Sequence, residues 1–310
     1  MSMMLSLGLL CMAAAPVPVP VILDTDLGDD IDDTWALCQA LGTPEIDLKL
    51  VVTAFHNTPL KARLVAKILE SVGRTDIPLG IGKKTEEKGV NQAQWLGEYT
   101  LDQYKGRIIE DGVGALVDAV NASKGQVTIC AIGPVTNLAE ALRRDPGIAK
   151  KARVVLMAGS VRKGYEGKAT PQPEWNVLCD VAAARAVFAA PWDITIAPLD
   201  SCGTLRLTGA DYEQVAGNTT AKARTIIGNY DQWVNRRHYA KDSSSILFDT
   251  VAVHLIHSTN YLAMETVPLR IADDGLTAED REKGRPVHCA MGWTDEAGFK
   301  KALIAAVTKP

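Results

Sequence analysis

The chain has 310 residues, 47% of them hydrophobic and 23% charged, proportions that exclude a disordered or fibrous chain. Its formal net charge of −4 excludes the basic stripe of a nucleic-acid-coating protein and favours a small-molecule ligand. Six cysteines, Cys11, Cys38, Cys130, Cys179, Cys202 and Cys289, stand far apart with no C-x-x-C pair, so neither a zinc nor a redox motif is present and mostly buried thiols are expected.

In chain order, residues 5–15 form an apolar run that ends in Ala13-Ala14-Ala15-Pro16, the pattern of a signal-peptide core followed by a small-residue cleavage site. The run is too short to span a bilayer. No Lys or Arg precedes it, and Leu10 before Cys11 argues against a lipoprotein anchor. The expectation is an exported protein, periplasmic or secreted, with a signal and spacer over residues 1–18 and one domain over 19–310. A cytoplasmic location is the alternative.

Beyond the spacer, short β-branched runs alternate with longer amphipathic segments, which predicts βαβ units and a single-domain, open, mostly parallel Rossmann-like sheet flanked by helices. Strands are predicted over residues 19–24, 48–54, 126–132, 153–158 and 193–199. Helices are predicted over 31–41, 59–72, 114–122, 135–143, 181–189, 221–238 and 295–306. In such sheets ligands bind beyond the carboxyl ends of the strands. Those ends carry Asp24-Thr25-Asp26, Phe55-His56-Asn57, Gly133-Pro134, Gly159-Ser160 and Asp200-Ser201.

The first of these ends is the most telling. Six carboxylates fall within ten residues, Asp24, Asp26, Asp29, Asp30, Asp32 and Asp33, and their repulsion calls for water, a helix N-terminus or a bound cation. With no Cys or His beside them, a hard cation such as calcium or magnesium is the natural choice. A solvated acidic loop capping the next helix is the plain alternative, but the segment is pinned between a strand and a helix bearing Trp35, Ala36 and Leu37. An EF-hand is excluded because Trp35, not Glu, stands twelfth from Asp24. A haloacid-dehalogenase-type magnesium phosphatase also begins with Asp-x-Asp after a first strand, yet normally without a second acidic pair six residues on.

Asp24-Thr25-Asp26-x-Gly28 followed by Asp32-Asp33-x-x-Ala36-Leu37 resembles the amino-terminal signature of the inosine-uridine-preferring nucleoside hydrolases. The spacing to Ala36-Leu37 favours Asp32-Asp33 over Asp29-Asp30 as the acidic pair of that signature. The resemblance continues through Val52-Thr53-Ala54-Phe55-His56-Asn57, Ala131-Ile132-Gly133-Pro134-Val135-Thr136-Asn137-Leu138-Ala139, Val155-Leu156-Met157-Ala158-Gly159, Pro173-Glu174-Trp175-Asn176 and Phe248-Asp249-Thr250-Val251-Ala252. It implies the nucleoside hydrolase fold and hydrolysis of the N-glycosidic bond of ribonucleosides. It further implies Ca2+ held by Asp26, Asp33, Asp249 and the main-chain carbonyl of Ile132, with Asp26 deprotonating a calcium-bound water.

By the same resemblance Asp32, Asn57 and Asp249 take ribose hydroxyls, Glu174 and Asn176 reach the 5′ end, and Met157 lines the sugar pocket. A homo-oligomer, dimer or tetramer, is left open. Two residues depart from the pattern: Lys168 stands where an Asn is usual, and Phe248 replaces the His that in many members protonates the leaving base. His238 and Tyr239, at the end of the long predicted helix and just before the Ser-rich stretch 242–245, are therefore the expected proton donors, folding over the pocket as a mobile rim. A calcium-stabilised nucleoside-binding protein without hydrolysis is the remaining reading, and Asp26 argues against it because a binder needs no base.

Overall fold

A computed structural model describes residues 17–309; the signal segment expected over 1–18 and Cys11 fall almost wholly outside the described residues. Ten strands are present: β1 (Val19–Thr25), β2 (Ile46–Thr53), β3 (Leu79–Ile81), β4 (Ile108–Ile109), β5 (Val127–Ala131), β6 (Ala152–Met157), β7 (Ile194–Ala197), β8 (Leu262–Ile271), β9 (Thr277–Glu279) and β10 (Arg285–Trp293). They form one sheet in the order β4-β3-β2-β1-β5-β6-β7-β10-β8-β9. Every neighbouring pair from β4 to β10 is parallel, and β8 runs antiparallel to both its neighbours. No helix among the described residues is long and apolar enough to cross a membrane.

Both faces of the sheet are covered, as a parallel sheet requires. Val21 and Leu23 of β1 join a core with Trp35, Leu64, Ile226 and Leu303, whereas Ile22 between them joins a core with Val113, Leu138 and Val187. The first core carries the helices Asp32–Gly42, Thr58–Ser71, Ala221–Tyr230, Phe248–Leu255 and Glu296–Thr308; the second carries Gly112–Ala122, Thr136–Arg144 and Val181–Ala189. The five predicted strands all form, within two residues at either end. Four of the remaining thiols, Cys38, Cys130, Cys202 and Cys289, are buried and unpaired, and Cys179 is half-buried.

The chain leaves β1 toward β2, β3 and β4 on one side and returns to place β5 on the other. The loops after β1 and β5 therefore diverge and open a crevice between them, where open α/β sheets bind ligands. Asn137, in the first turn of the helix after β5, closes the base of this crevice. Its amide nitrogen donates to Asp24 Oδ2 at 2.7 Å and to the Thr53 carbonyl at 3.0 Å, while its oxygen accepts from the Lys83 amide at 2.8 Å. One side chain thus ties β1, β2 and the segment after β3. Asn137→Ala should lower unfolding stability by about 2 kcal/mol, since it orphans buried groups including a carboxylate; urea denaturation checks this.

Candidate active site

A cleft of about 310 Å³ opens at this crevice, a volume suited to a small ligand. Its lining includes Asp26, Asp32 and Asp33 from the β1 side, Ile132 after β5, Met157 at the end of β6, Glu174, Asn176 and Asp249. Eight of the eleven residues expected from the sequence therefore meet in one place.

The acidic floor is built by two helix N-termini that converge. Asp32 and Asp33 stand in the first turn of helix Asp32–Gly42 and Asp249 in the first turn of Phe248–Leu255, where the partial positive charge of the helix end favours carboxylates. The Asp249 amide donates to Asp32 Oδ2 at 3.1 Å, and the Thr25 hydroxyl donates to Asp33. Asp32, Asp33 and Asp249 are buried, and each brings an oxygen within 4.8 Å of the others. Burial, then repulsion from neighbouring aspartates of the cluster, Asp26 and Asp30 among them, pushes all three carboxyls well above the usual range.

Asp26 is 5% exposed and packs so tightly on Gly133 that a β-carbon there would lie 2.6 Å from its Oδ1. Burial is also the chief reason its pKa rises to about 7, and the Lys61 ammonium opposes that rise. Lys61 is 1% exposed; its Nζ donates to the Asp26 carbonyl and to Asp29 Oδ2, both at 2.8 Å, and lies 3.9 Å from Asp26 Oδ2. His56 Nδ1 sits 3.0 Å from the same Asp29 oxygen. To bring the ring there, Phe55 and His56 adopt φ of 59° and 52°, a left-handed conformation costly for side chains of this kind.

On the far wall, Glu174 caps its own short helix. Its carboxylate accepts from the amides of Gly159, Asn176 and Val177 at 3.0, 2.7 and 3.2 Å. The Asn176 amide nitrogen donates to the Met157 carbonyl at 3.0 Å and to the Ile132 carbonyl at 3.4 Å, which leaves its oxygen free to accept.

Three expected residues are not brought to the cleft. Asn57 caps helix Thr58–Ser71 by accepting from the Leu60 amide at 3.2 Å, and its nitrogen donates outward to Glu87 at 2.9 Å. The helix predicted over 221–238 ends at Tyr230, because Trp233 folds back on the Tyr230 ring at 6.3 Å and Arg236 lies over that ring at 4.4 Å. His238 is consequently exposed on a short 3-10 turn, and Tyr239 stacks on Trp233 at 6.0 Å. In the Ser-rich stretch that follows, Ser243, Ser244 and Ser245 are buried, and Ser244 exchanges backbone and side-chain bonds with Leu207. Lys168 is exposed and does not line the cleft.

Sequence reasoning missed Lys88, Asn91 and Tyr165, which line the cleft, and Asp29 and Asp30, which it weighed as the alternative acidic pair, line it too. It also missed Lys61, although a signal was present: Lys61, Leu64, Val65 and Ile68 share one stripe of an otherwise apolar helix face.

With this geometry in view, comparison with known proteins is decisive. Residues 21–301 match the inosine-uridine preferring nucleoside hydrolase family. The chain belongs to that family, and it is a nucleoside hydrolase. It is 29% identical over 310 aligned positions to the inosine-uridine preferring nucleoside hydrolase of Crithidia fasciculata, covering 92% of this chain and 95% of that one. It is 33% identical over 211 positions to probable uridine nucleosidase 2 of Arabidopsis thaliana, 64% of each chain. In fold it resembles a plant nucleoside hydrolase, PpNRh1, with a TM-score of 0.80 and 24% identity over 94% of this chain and 100% of that one. The competing phosphatase expectation therefore falls away.

Two tests follow from the electrostatics of the metal-free protein. Asp24 and Asp26 rise to about 7 and Asp30 to about 6, in each case mainly through burial, against an ordinary value of 3.8. A carboxyl whose folded pKa exceeds its unfolded one binds more protons when folded, so its stabilising effect is lost as pH rises. Chelator-treated protein should therefore lose thermal stability between about pH 4 and pH 7, measurable by calorimetry across that range. Lys61→Met leaves the half-buried Asp29 without its cation and the Asp26 carbonyl without its donor, and should lower unfolding stability by about 3 kcal/mol, again read by urea denaturation.

Proposed function

We propose that the enzyme cleaves ribonucleosides to free base and ribose with Asp26 as general base toward the attacking water. The observation that carries this reading is the meeting of Asp26 with the buried carboxylates Asp32, Asp33 and Asp249 at the crevice between β1 and β5. A calcium-stabilised binder would use such carboxylates for its ion but needs no base, whereas a reaction that develops positive charge on a sugar and consumes a water uses both the acidic floor and Asp26.

The donors fit a hard cation. Every ligand on offer is oxygen, and the carboxyls are held close against their own repulsion. Calcium is our choice over magnesium, because it accepts several protein carboxylates and carbonyls at once whereas magnesium keeps most of its water. Asp33, Asp249, Asp26 and the Ile132 carbonyl would hold it; when bound, such an ion lowers the pKa of adjacent water.

The remaining roles follow from which atoms are free. Asp32 and Asp249 accept from the ribose diol, and orient the sugar with its anomeric carbon toward Asp26. Asn176 presents its oxygen, and Glu174 its remaining lone pairs, to the 5′ end, while Met157 shapes the wall between them. As the bond to the base lengthens, positive charge on the sugar is met by the anionic floor. The water loses its proton to the Asp26 carboxylate as its oxygen bonds to the sugar.

Asp26→Asn keeps the shape but cannot take the proton, and should slow ribose release from inosine or uridine by about 10²–10⁴-fold. A variant retaining more than about a tenth of wild-type turnover would remove Asp26 from this role. Exhaustive chelation should abolish activity, with calcium restoring it and magnesium doing so poorly. Activity that survives chelation would remove the metal.

A further inference from the structure

Departure of the base needs a proton or a strong hydrogen bond, because a base leaving as a bare anion is a poor leaving group. Phe248 cannot supply either, and His238 and Tyr239 do not line the cleft. The question is which group at the cleft can.

The depth of the cleft orders its residues. The carboxylates that would take the sugar lie 2–5% exposed on the floor, whereas Trp175 is 50% exposed at the mouth and Lys88 is exposed. A sugar seated on the floor would turn its base toward the mouth, where these two exposed residues line the cleft. Lys88 is the cation in a lining whose other charged residues, Asp26, Asp29, Asp30, Asp32, Asp33, Glu174 and Asp249, are all acidic. Among the described residues its ammonium enters no ion pair and donates no hydrogen bond, so nothing in the fold has claimed it.

Its backbone is nevertheless held in place from both sides. Upstream, His56 donates from its amide to the Thr85 hydroxyl at 2.8 Å and accepts from the Thr85 amide at 3.0 Å. Downstream, the Asn91 amide donates to the Gly28 carbonyl at 2.8 Å. The Asn91 and Gln92 side chains donate to the Asp29 and Asp30 carbonyls at 2.7 and 2.6 Å. The segment carrying Lys88 is thus fastened downstream to the acidic loop whose carboxylates form one wall of the cleft, and upstream to His56, whose ring meets Asp29 of that loop.

We propose that Lys88 is the catalytic residue that assists departure of the base. The C1′–N bond breaks with its electron pair passing to the base nitrogen, and the Lys88 ammonium donates a proton to the base. The water oxygen forms the new bond to C1′ and its proton goes to Asp26, from which it returns to the Lys88 amine through solvent. This rests on the hydrolytic reading above and adds the leaving-group half of the reaction to it.

The test compares inosine and uridine with p-nitrophenyl riboside, whose leaving group needs no protonation. Because Lys88 is exposed and free of partners, Lys88→Met leaves the fold intact. It should lower kcat on both nucleosides by about 10²-fold or more while changing p-nitrophenyl riboside turnover by less than about 3-fold, and Lys88→Arg should recover part of the loss as a hydrogen-bond donor. Tyr165→Phe serves as the rival arm, since the Tyr165 hydroxyl also lines the cleft, accepts from the Trp175 amide at 2.8 Å and has its proton uncommitted. Equal losses on all three substrates, no loss at all, or a nucleoside-selective loss in Tyr165→Phe but not in Lys88→Met would overturn the role of Lys88. Wild-type protein that released ribose from none of the three would instead overturn the hydrolytic reading itself.

Discussion

Buried negative charge is the constraint around which this molecule is arranged. Carboxylates that would be unremarkable in water are taken out of it at the carboxyl end of β1, where burial alone raises their protonation. The surroundings answer with fixed positive ends. Helices Asp32–Gly42 and Phe248–Leu255 both aim their N-termini at the cluster, Asn137 and Thr25 donate hydrogen bonds to Asp24 and Asp33, and Lys61 brings a full charge from the neighbouring helix. Asp32, Asp33 and Asp249 are thereby held close enough to one another to share a single metal ion.

The acidic loop divides into two halves with different partners. Asp29 is neutralised by Lys61 and braced by His56, and its backbone carbonyl and that of Asp30 are claimed by Asn91 and Gln92. Asp32 and Asp33 instead belong to the next helix and face Asp249. The extra acidic pair therefore fastens the segment after β3 to the site. Gly28, with φ of 122°, makes the turn that leads into the first half, and a β-carbon there would press on Val90 of that same segment at 2.9 Å.

Much of this was legible in the residues. Parallel strands buried on both faces announce themselves as β-branched runs, and β1, β2, β5, β6 and β7 were readable for that reason. The antiparallel end was not: β8 contains Pro268 and Glu265, and β10 contains Pro286 and Gly292, residues that interrupt a strand pattern. β3 and β4, at three and two residues, are too short to carry any period. Within the site, residues fixed by local backbone chemistry, such as the acidic pair opening a helix, were found. Those whose direction is set by distant packing were misplaced. Asn57 looks like a strand-end ligand until its helix is seen to need a cap, and His238 looks like a rim residue until Trp233 and Arg236 fold the chain back over Tyr230.

The same division of charge explains why the cleft is anionic below and cationic above. Glycoside cleavage separates charge, leaving a positive sugar and a negative leaving group at the instant of bond breaking. A uniformly acidic pocket would stabilise the sugar but repel the departing base, and a neutral one would favour neither. Carboxylates fixed on buried helix starts can stay organised through the reaction because rigid elements hold them. A lysine exposed at the mouth, on a segment tethered to the acidic loop, stands where the base would leave. An acidic floor and a cation at the mouth are therefore two requirements of one reaction. The chain meets them by drawing the floor from β1 and two helices and the rim from the connection after β3.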